Sequence, residues 1–115
     1  MNQIKTDDYE IVFEPEPNMI VFKGSLRLNG MDEYAPIIDL LDLAAANNPS
    51  LLALKLEELE FLNSSGINML SKFVIKMRQK GEVKIVVHGS KSIPWQGKSL
   101  KNLQRLMPSL EIELA

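Results

Sequence analysis

Apolar residues recur along the chain with two periods, and the switches between them mark its elements. Tyr9, Ile11 and Phe13 alternate with Glu10, Val12 and Glu14, which predicts a strand with one largely apolar face. Pro15-Glu16-Pro17-Asn18 reads as a turn, because each proline fixes its backbone angle and lacks a donor. A second strand is expected from Met19 to Leu28, carried by Ile20, Phe22, Leu26 and Leu28, and it pairs with the first as a hairpin. Gly24 inside it marks a bulge or a close backbone approach. Asn29-Gly30 ends this strand, and Asn29 or Asp32 caps the next helix. Proline is tolerated only in an opening turn, so that helix is expected to start shortly before Pro36. Ile37, Ile38, Leu40, Leu41, Leu43 and Ala44 form its apolar face, and Asn47-Asn48-Pro49 terminates it.

The stretch from Leu51 to Lys80 is the most informative. Leu51, Leu52, Ala53, Leu54 and Leu56 predict a buried strand that ends near Leu56, before the acidic Glu57 and Glu58. Leu59, Phe61 and Leu62 would then cover a turn at Asn63-Ser64-Ser65-Gly66. Ile67, Leu70, Val74 and Met77, with Phe73 beside them, make one apolar stripe at helical period. Asn68, Ser71, Lys72, Lys76 and Gln79 fall on its other faces. Gly81 stops this helix, and Arg78 and Lys80 suit its C-terminal dipole.

Beyond Gly81, Val83, Ile85, Val86 and Val87 predict a strong strand ended by Gly89 and Ser90. Lys91 to Gly97 is an irregular loop whose Trp95 either lies over the core or stands out as an anchor. A short helix with Leu100, Leu103, Leu106 and Met107 follows, capped by Ser92 or Ser99 and stopped by Pro108. Leu110, Ile112 and Leu114 alternate with Glu111 and Glu113 in a last strand at a sheet edge. The reading is a single α/β domain over residues 1–115, with residues 1–8 frayed and the order β-β-α-β-α-β-α-β. Successive strand–helix–strand units imply parallel pairing in a small mixed sheet, with the helices on one face or divided between two.

Composition narrows the chemistry. With 115 residues, 45% apolar and 24% charged, the chain has the makeup of an ordinary globular protein. It has no cysteine, hence no disulfide, thiol nucleophile or thiolate metal site. The opening MNQIKTDDYE lacks an apolar signal region, and no apolar run approaches the roughly 18 to 20 residues that span a bilayer. A soluble, cytoplasmic protein without membrane insertion is expected. Residues 1–60 hold 4 Lys/Arg and 12 Asp/Glu, and residues 61–115 hold 9 and 3. In so short a chain the fold is expected to interleave these halves and cancel the contrast. There is no basic arm or basic–aromatic interleaving, so nucleic acid is not expected as a partner.

Catalytic signals are weak. His88 is the only histidine, and neither a metal set nor a Ser–His constellation forms around it in the sequence. Phosphate-binding glycine loops are absent, and no cofactor is called for. What stands out is the Asn63–Gly66 turn. Helix N-termini carry unpaired N–H groups, so Ser64 or Ser65 serves there either as a cap or as a phosphorylation site. A phosphate would add about −1.5 to −2 charge to the loop and repel a docked partner.

The run LKLEELEFLNSSGINML resembles the signature of STAS domains, the anti-sigma factor antagonists. Their pattern is roughly L-x-F-[ILM]-D-S-S-G-[ILV]-x-x-L, matched here by Leu59, Phe61, Leu62, Ser64, Ser65, Gly66, Ile67 and Leu70. The element order from residue 10 to 114 agrees, including Gly24-Ser25-Leu26. The resemblance implies a non-enzymatic, bacterial partner-switching regulator of transcription. The unphosphorylated domain binds a serine kinase of the histidine-kinase-like fold, which is also the anti-sigma factor. Phosphorylation of the first serine, Ser64, releases it, and a PP2C-type phosphatase restores it. Asn63, Ser64, Ser65, Gly66, Asn68 and Arg27 are the partner-facing residues this implies. Two of them depart from the family: Asn63 replaces an Asp, and Arg27 stands where a second acidic residue is usual. The chain also ends at its last strand, without the terminal helix many members carry. Rival readings are a constitutive scaffold, such as an accessory subunit of a transporter ATPase, and a small-ligand sensor.

Overall fold

In the computed structural model, which describes residues 3–47, 50–81 and 83–115, nine elements follow one another. They are β1 (Gln3–Lys5), β2 (Tyr9–Glu14), β3 (Met19–Leu26), α1 (Gly30–Asn47), β4 (Leu51–Leu62), α2 (Ser64–Lys80), β5 (Lys84–Gly89), α3 (Gln96–Leu106) and β6 (Glu111–Leu114). The expected order is present with one addition. Gln3–Lys5, in a segment expected to fray, pairs antiparallel with β2. Asn48 and Pro49, expected to terminate α1, lie outside the described residues.

The sheet order is β1-β2-β3-β4-β5-β6, the same as the order in sequence. β2 and β3 form the antiparallel hairpin, and β3, β4, β5 and β6 run parallel. Each parallel crossover therefore advances one strand in the same direction. Right-handed crossovers that never reverse place all their helices on one face. The helices accordingly lie side by side, α1 against α2 and α2 against α3.

Burial follows from this layering. Ile11, Phe13, Ile20, Phe22, Leu52, Leu54, Leu56, Ile85 and Val87 are buried beneath the helices. Full burial of each such side chain is worth about 1.5–3 kcal/mol. Gln3, Val12, Val21, Lys55, His88 and Glu113 are register partners in one row across the opposite, open face.

Three local expectations need correction. Pro36 sits in the second turn of α1, not its first, because α1 begins at Gly30. Pro36 is on the exposed face of the helix, where a lost backbone bond is tolerated more readily than in the core. β4 continues to Leu62 instead of stopping near Leu56. Two register shifts against β3 each insert one extra residue into β4, so its buried positions pass from Leu52, Leu54 and Leu56 to Leu59 and Leu62. Those bulges broke the alternation at Glu57-Glu58 that read as a strand end. Neither Ser92 nor Ser99 caps α3, whose N-cap is Trp95 without a side-chain bond.

Gly24 lies beside a bulge of β4 and marks a close approach of backbones. Its φ is 93°, and an added Cβ would collide with the Asp8 carbonyl oxygen. Asn18, buried with φ 85°, donates through Nδ2 to the Ala44 and Leu51 carbonyls at 3.0 and 2.8 Å. It thereby ties the end of α1 to the start of β4.

Candidate functional site

The Asn63–Gly66 turn leaves the C-terminal end of β4, beside the end of β3 and the start of α1. The Asn63 N–H donates to the Leu26 carbonyl at 3.1 Å, as the last bond of that ladder. Its backbone is extended, with φ −77° and ψ 177°. Its Oδ1 accepts the Gly66 N–H at 2.9 Å, so the N-cap of α2 is Asn63 and neither serine. The same oxygen accepts the Tyr34 hydroxyl at 2.7 Å, and Nδ2 donates to the Leu28 carbonyl at 2.8 Å. One amide thus joins β4, α2, α1 and the β3–α1 loop. It uses donor and acceptor together, which a carboxylate cannot do.

This bonding settles what the serines are left to do. Ser65 is half-buried, and its hydroxyl accepts the Gly30 N–H at 3.3 Å, linking the first turns of α2 and α1. Ser64 is exposed at the first helical position, and its hydroxyl has no partner among the described residues. Gly66 is buried, and a Cβ there would run into the Leu62 side chain and lie 2.7 Å from the Tyr34 oxygen. Packing, and no special backbone angle, requires glycine at this point. Asn68 is exposed four residues beyond Ser64, on the same helix face.

Arg27 follows β3 directly and is exposed. Its guanidinium lies 4.7 Å from the centroid of the Phe61 ring, which is 37% exposed. Such a stack holds the cation at the end of the sheet from which the turn projects. The six residues implied by the sequence resemblance therefore gather at one end of β3 and β4.

Tyr34 contributes to this end without having been singled out for it in the sequence, whereas Phe61, expected to cover the turn, is partly exposed and carries Arg27 on its ring. Tyr34 is fully buried, and burial pushes its hydroxyl above the ordinary phenol range. A tyrosine on the apolar stripe of α1, with Ile37, Leu41 and Ala44, was the available signal: a buried hydroxyl needs a partner. Gln96 is the other omission. Its Nε2 donates to the Leu56 and Leu59 carbonyls at 2.6 and 3.2 Å, and its Oε1 accepts the Ser90 N–H at 2.7 Å. Trp95 donates to the Leu59 carbonyl at 3.0 Å and packs on the core, so it is a cover and not an exposed anchor.

The remaining chemistry is sparse. His88 lies on the open face, its Nδ1 4.0 Å from a Glu113 carboxylate oxygen. Among the described residues no group of three or more His, Asp or Glu could hold a metal. No described helix is long and apolar enough to cross a membrane. A groove of about 190 Å³ between α1 and α2 is lined by Met31, Ile38, Asp42, Met69, Lys72, Phe73 and Lys76. It is smaller than the roughly 300–1,000 Å³ of small-molecule sites.

Comparison with known proteins bears on the fold. No protein-family model matches the chain, and no curated protein sequence matches it. Solved structures do. A chain in the crystal structure of the diguanylate cyclase SiaD in complex with its activator SiaC, from Pseudomonas aeruginosa, superposes with a TM-score of 0.73 at 16% identity. That match covers 100% of both chains. The apo-SiaC structure from the same organism gives a TM-score of 0.71 at 14% identity, over 99% of this chain and 98% of that one. A further SiaC structure gives 0.65 at 15% identity, over 100% and 97%. The chain therefore shares this small α/β fold end to end.

Proposed function

We propose that this chain is a non-enzymatic regulator that binds a protein partner through the exposed surface around the α2 N-terminus, and that phosphate on Ser64 breaks that contact. The observation that carries the reading is the division of labour in the turn. Asn63 and Ser65 spend their side chains holding α2 in place, while the Ser64 hydroxyl between them stays exposed and unpaired. A hydroxyl with a structural duty cannot be modified without damage, whereas Ser64 can.

A phosphate there would meet the positive end of the α2 dipole. The folded domain tolerates it for that reason, and the partner's surface is what meets the new charge. The STAS-like motif supports a serine kinase of the histidine-kinase-like fold as the modifying partner and a PP2C-type phosphatase as its counterpart. The fold likeness supports a signalling enzyme as the target. SiaC is the activator of a diguanylate cyclase, and this chain has SiaC's fold. The regulated partner is accordingly either an anti-sigma factor or an enzyme of that signalling kind.

The test uses the wild-type chain as bait in its native cells, then its isolated partner. Ser64→Asp is expected to weaken binding roughly 5- to 150-fold, about 1–3 kcal/mol, while Ser64→Ala binds as wild type. With the cognate kinase and ATP, phosphate should appear on wild type and not on Ser64→Ala. Equal labelling of both proteins would remove Ser64 from the mechanism. Unchanged affinity in Ser64→Asp would leave a constitutive binding module instead.

A further inference from the structure

We infer that the outer face of α3 is a second docking surface, shaped for an acidic segment of a partner protein. The inference does not depend on Ser64 being modified.

It starts from charge. Sequential strand order keeps the two halves of the chain apart in space, so the expected cancellation does not occur. The acidic half forms the β1–β4 side with α1, and the basic half forms the β5–β6 side with α2 and α3. Within the basic half, Glu111 and Glu113 are the acidic residues among those described. Both extend from β6 onto the open face of the sheet, where they meet Lys84 at 2.9 Å and His88 at 4.0 Å. The helical side of that half is left with no carboxylate among the described residues.

Geometry then gathers the cations. Lys98, Lys101 and Arg105 recur at spacings of three and four on α3, with Asn102 between them. With Gly97 and Leu114 of β6 they line a groove of about 460 Å³. Lys91 is anchored nearby, its N–H bonded to the Ala115 carbonyl at 2.9 Å. None of these four cations has an ion-pair partner among the described residues. Like charges one helical turn apart repel, and an external anion relieves that repulsion.

The form of the groove selects the occupant. α3 has 11 residues, and its basic stripe from Lys98 to Arg105 is only about 11 Å long. No aromatic ring lines the groove for a base to stack on, and Leu114 offers an apolar contact instead. A short polypeptide with carboxylates around an apolar side chain fits both the charge and the extent.

The test is a titration of the full chain, followed by amide NMR, with a synthetic glutamate-rich peptide carrying one central leucine. Matched single-stranded DNA and phosphatidylserine vesicles serve as the other anions. The peptide should perturb the amides of residues 97–105 and 114. Its dissociation constant should rise about tenfold or more in the double variant Lys101→Glu, Arg105→Glu, and stay unchanged in Ser64→Asp. Lys101→Gln with Arg105→Gln replaces the reversal if thermal unfolding shows that the double variant has lost its fold. Perturbation centred elsewhere, equal affinity in the charge variants, or tighter binding of DNA or vesicles would overturn the assignment.

Discussion

Tyr34 and Asn63 show how much of the candidate site rests on single polar atoms. The Tyr34 hydroxyl has no water to fall back on, and its bond to Asn63 Oδ1 joins α1 to the cap of α2. Tyr34→Phe is expected to cost about 1 kcal/mol at neutral pH, because the Asn63 oxygen keeps Gly66 as a donor. Burial raises the folded-state pKa of this hydroxyl above the unfolded value near 10. Its neutral form therefore contributes stability that is complete below about pH 10 and is lost as pH rises through the folded value. Urea midpoints from neutral to alkaline pH should fall less steeply above about pH 10 in Tyr34→Phe than in wild type. Parallel curves would exclude Tyr34 from the alkaline transition. The Asn63 amide was legible as a polar turn residue, but its duty as cap was not. Ser64 and Ser65 are equally good capping types, and only the positions of Leu28 and Tyr34 select Asn63.

The decisive element is β4. β5 pairs with it only from Leu51 to Lys55, so beyond Leu56 its free side needs another source of donors. Gln96 and Trp95 supply them from the first turn of α3 and its cap. The segment that carries the Asn63–Gly66 turn is thus held by β3 on one side and by two side chains on the other. Gln96→Met preserves volume but leaves the Leu56 carbonyl and the Ser90 N–H without these bonds. It is expected to destabilise by about 2 kcal/mol and to speed amide exchange over Leu56–Leu62 more than over β2. Uniform exchange across the sheet would mean that the clasp does not support β4 locally. The twelve-residue length of β4 was not readable from alternation, since its two bulges shift the apolar period. The amphipathic helix after it was, because α2 keeps one period for its whole length and Gly81 ends it at φ 73°.

For the whole molecule, the sequential sheet turns a contrast along the chain into a contrast across space. A net charge of only −2 conceals a difference between halves of −8 and +6. The molecule measures 34 × 31 × 25 Å. The screening length is about 30 Å at 0.01 M salt and about 10 Å at 0.1 M, so opposite ends of neighbouring molecules attract mainly at low salt. Light scattering should accordingly give a lower second virial coefficient at about 0.01 M than at about 0.1 M. Substituting Lys98, Lys101 and Arg105 by glutamate should reverse that dependence. A coefficient that rises on dilution of salt in the unaltered protein would show that net charge, and not its separation, governs the interaction.

The sequence by itself determined what depends on neighbours along the chain. Strand and helix periods, the hairpin turn, the left-handed stop at Gly81 and the place of the serine turn all follow from a few consecutive residues. Tertiary structure decided whatever depends on residues far apart in sequence. It extended β4 through bulges set against β3, and chose Asn63 as cap because Leu28 and Tyr34 converge on it. It also turned Trp95 and Gln96 inward to β4, and kept the acidic and basic halves apart. The physical reason is common to all four. A buried donor or acceptor takes the partner that packing brings within reach, and a charge feels the neighbours the fold gives it.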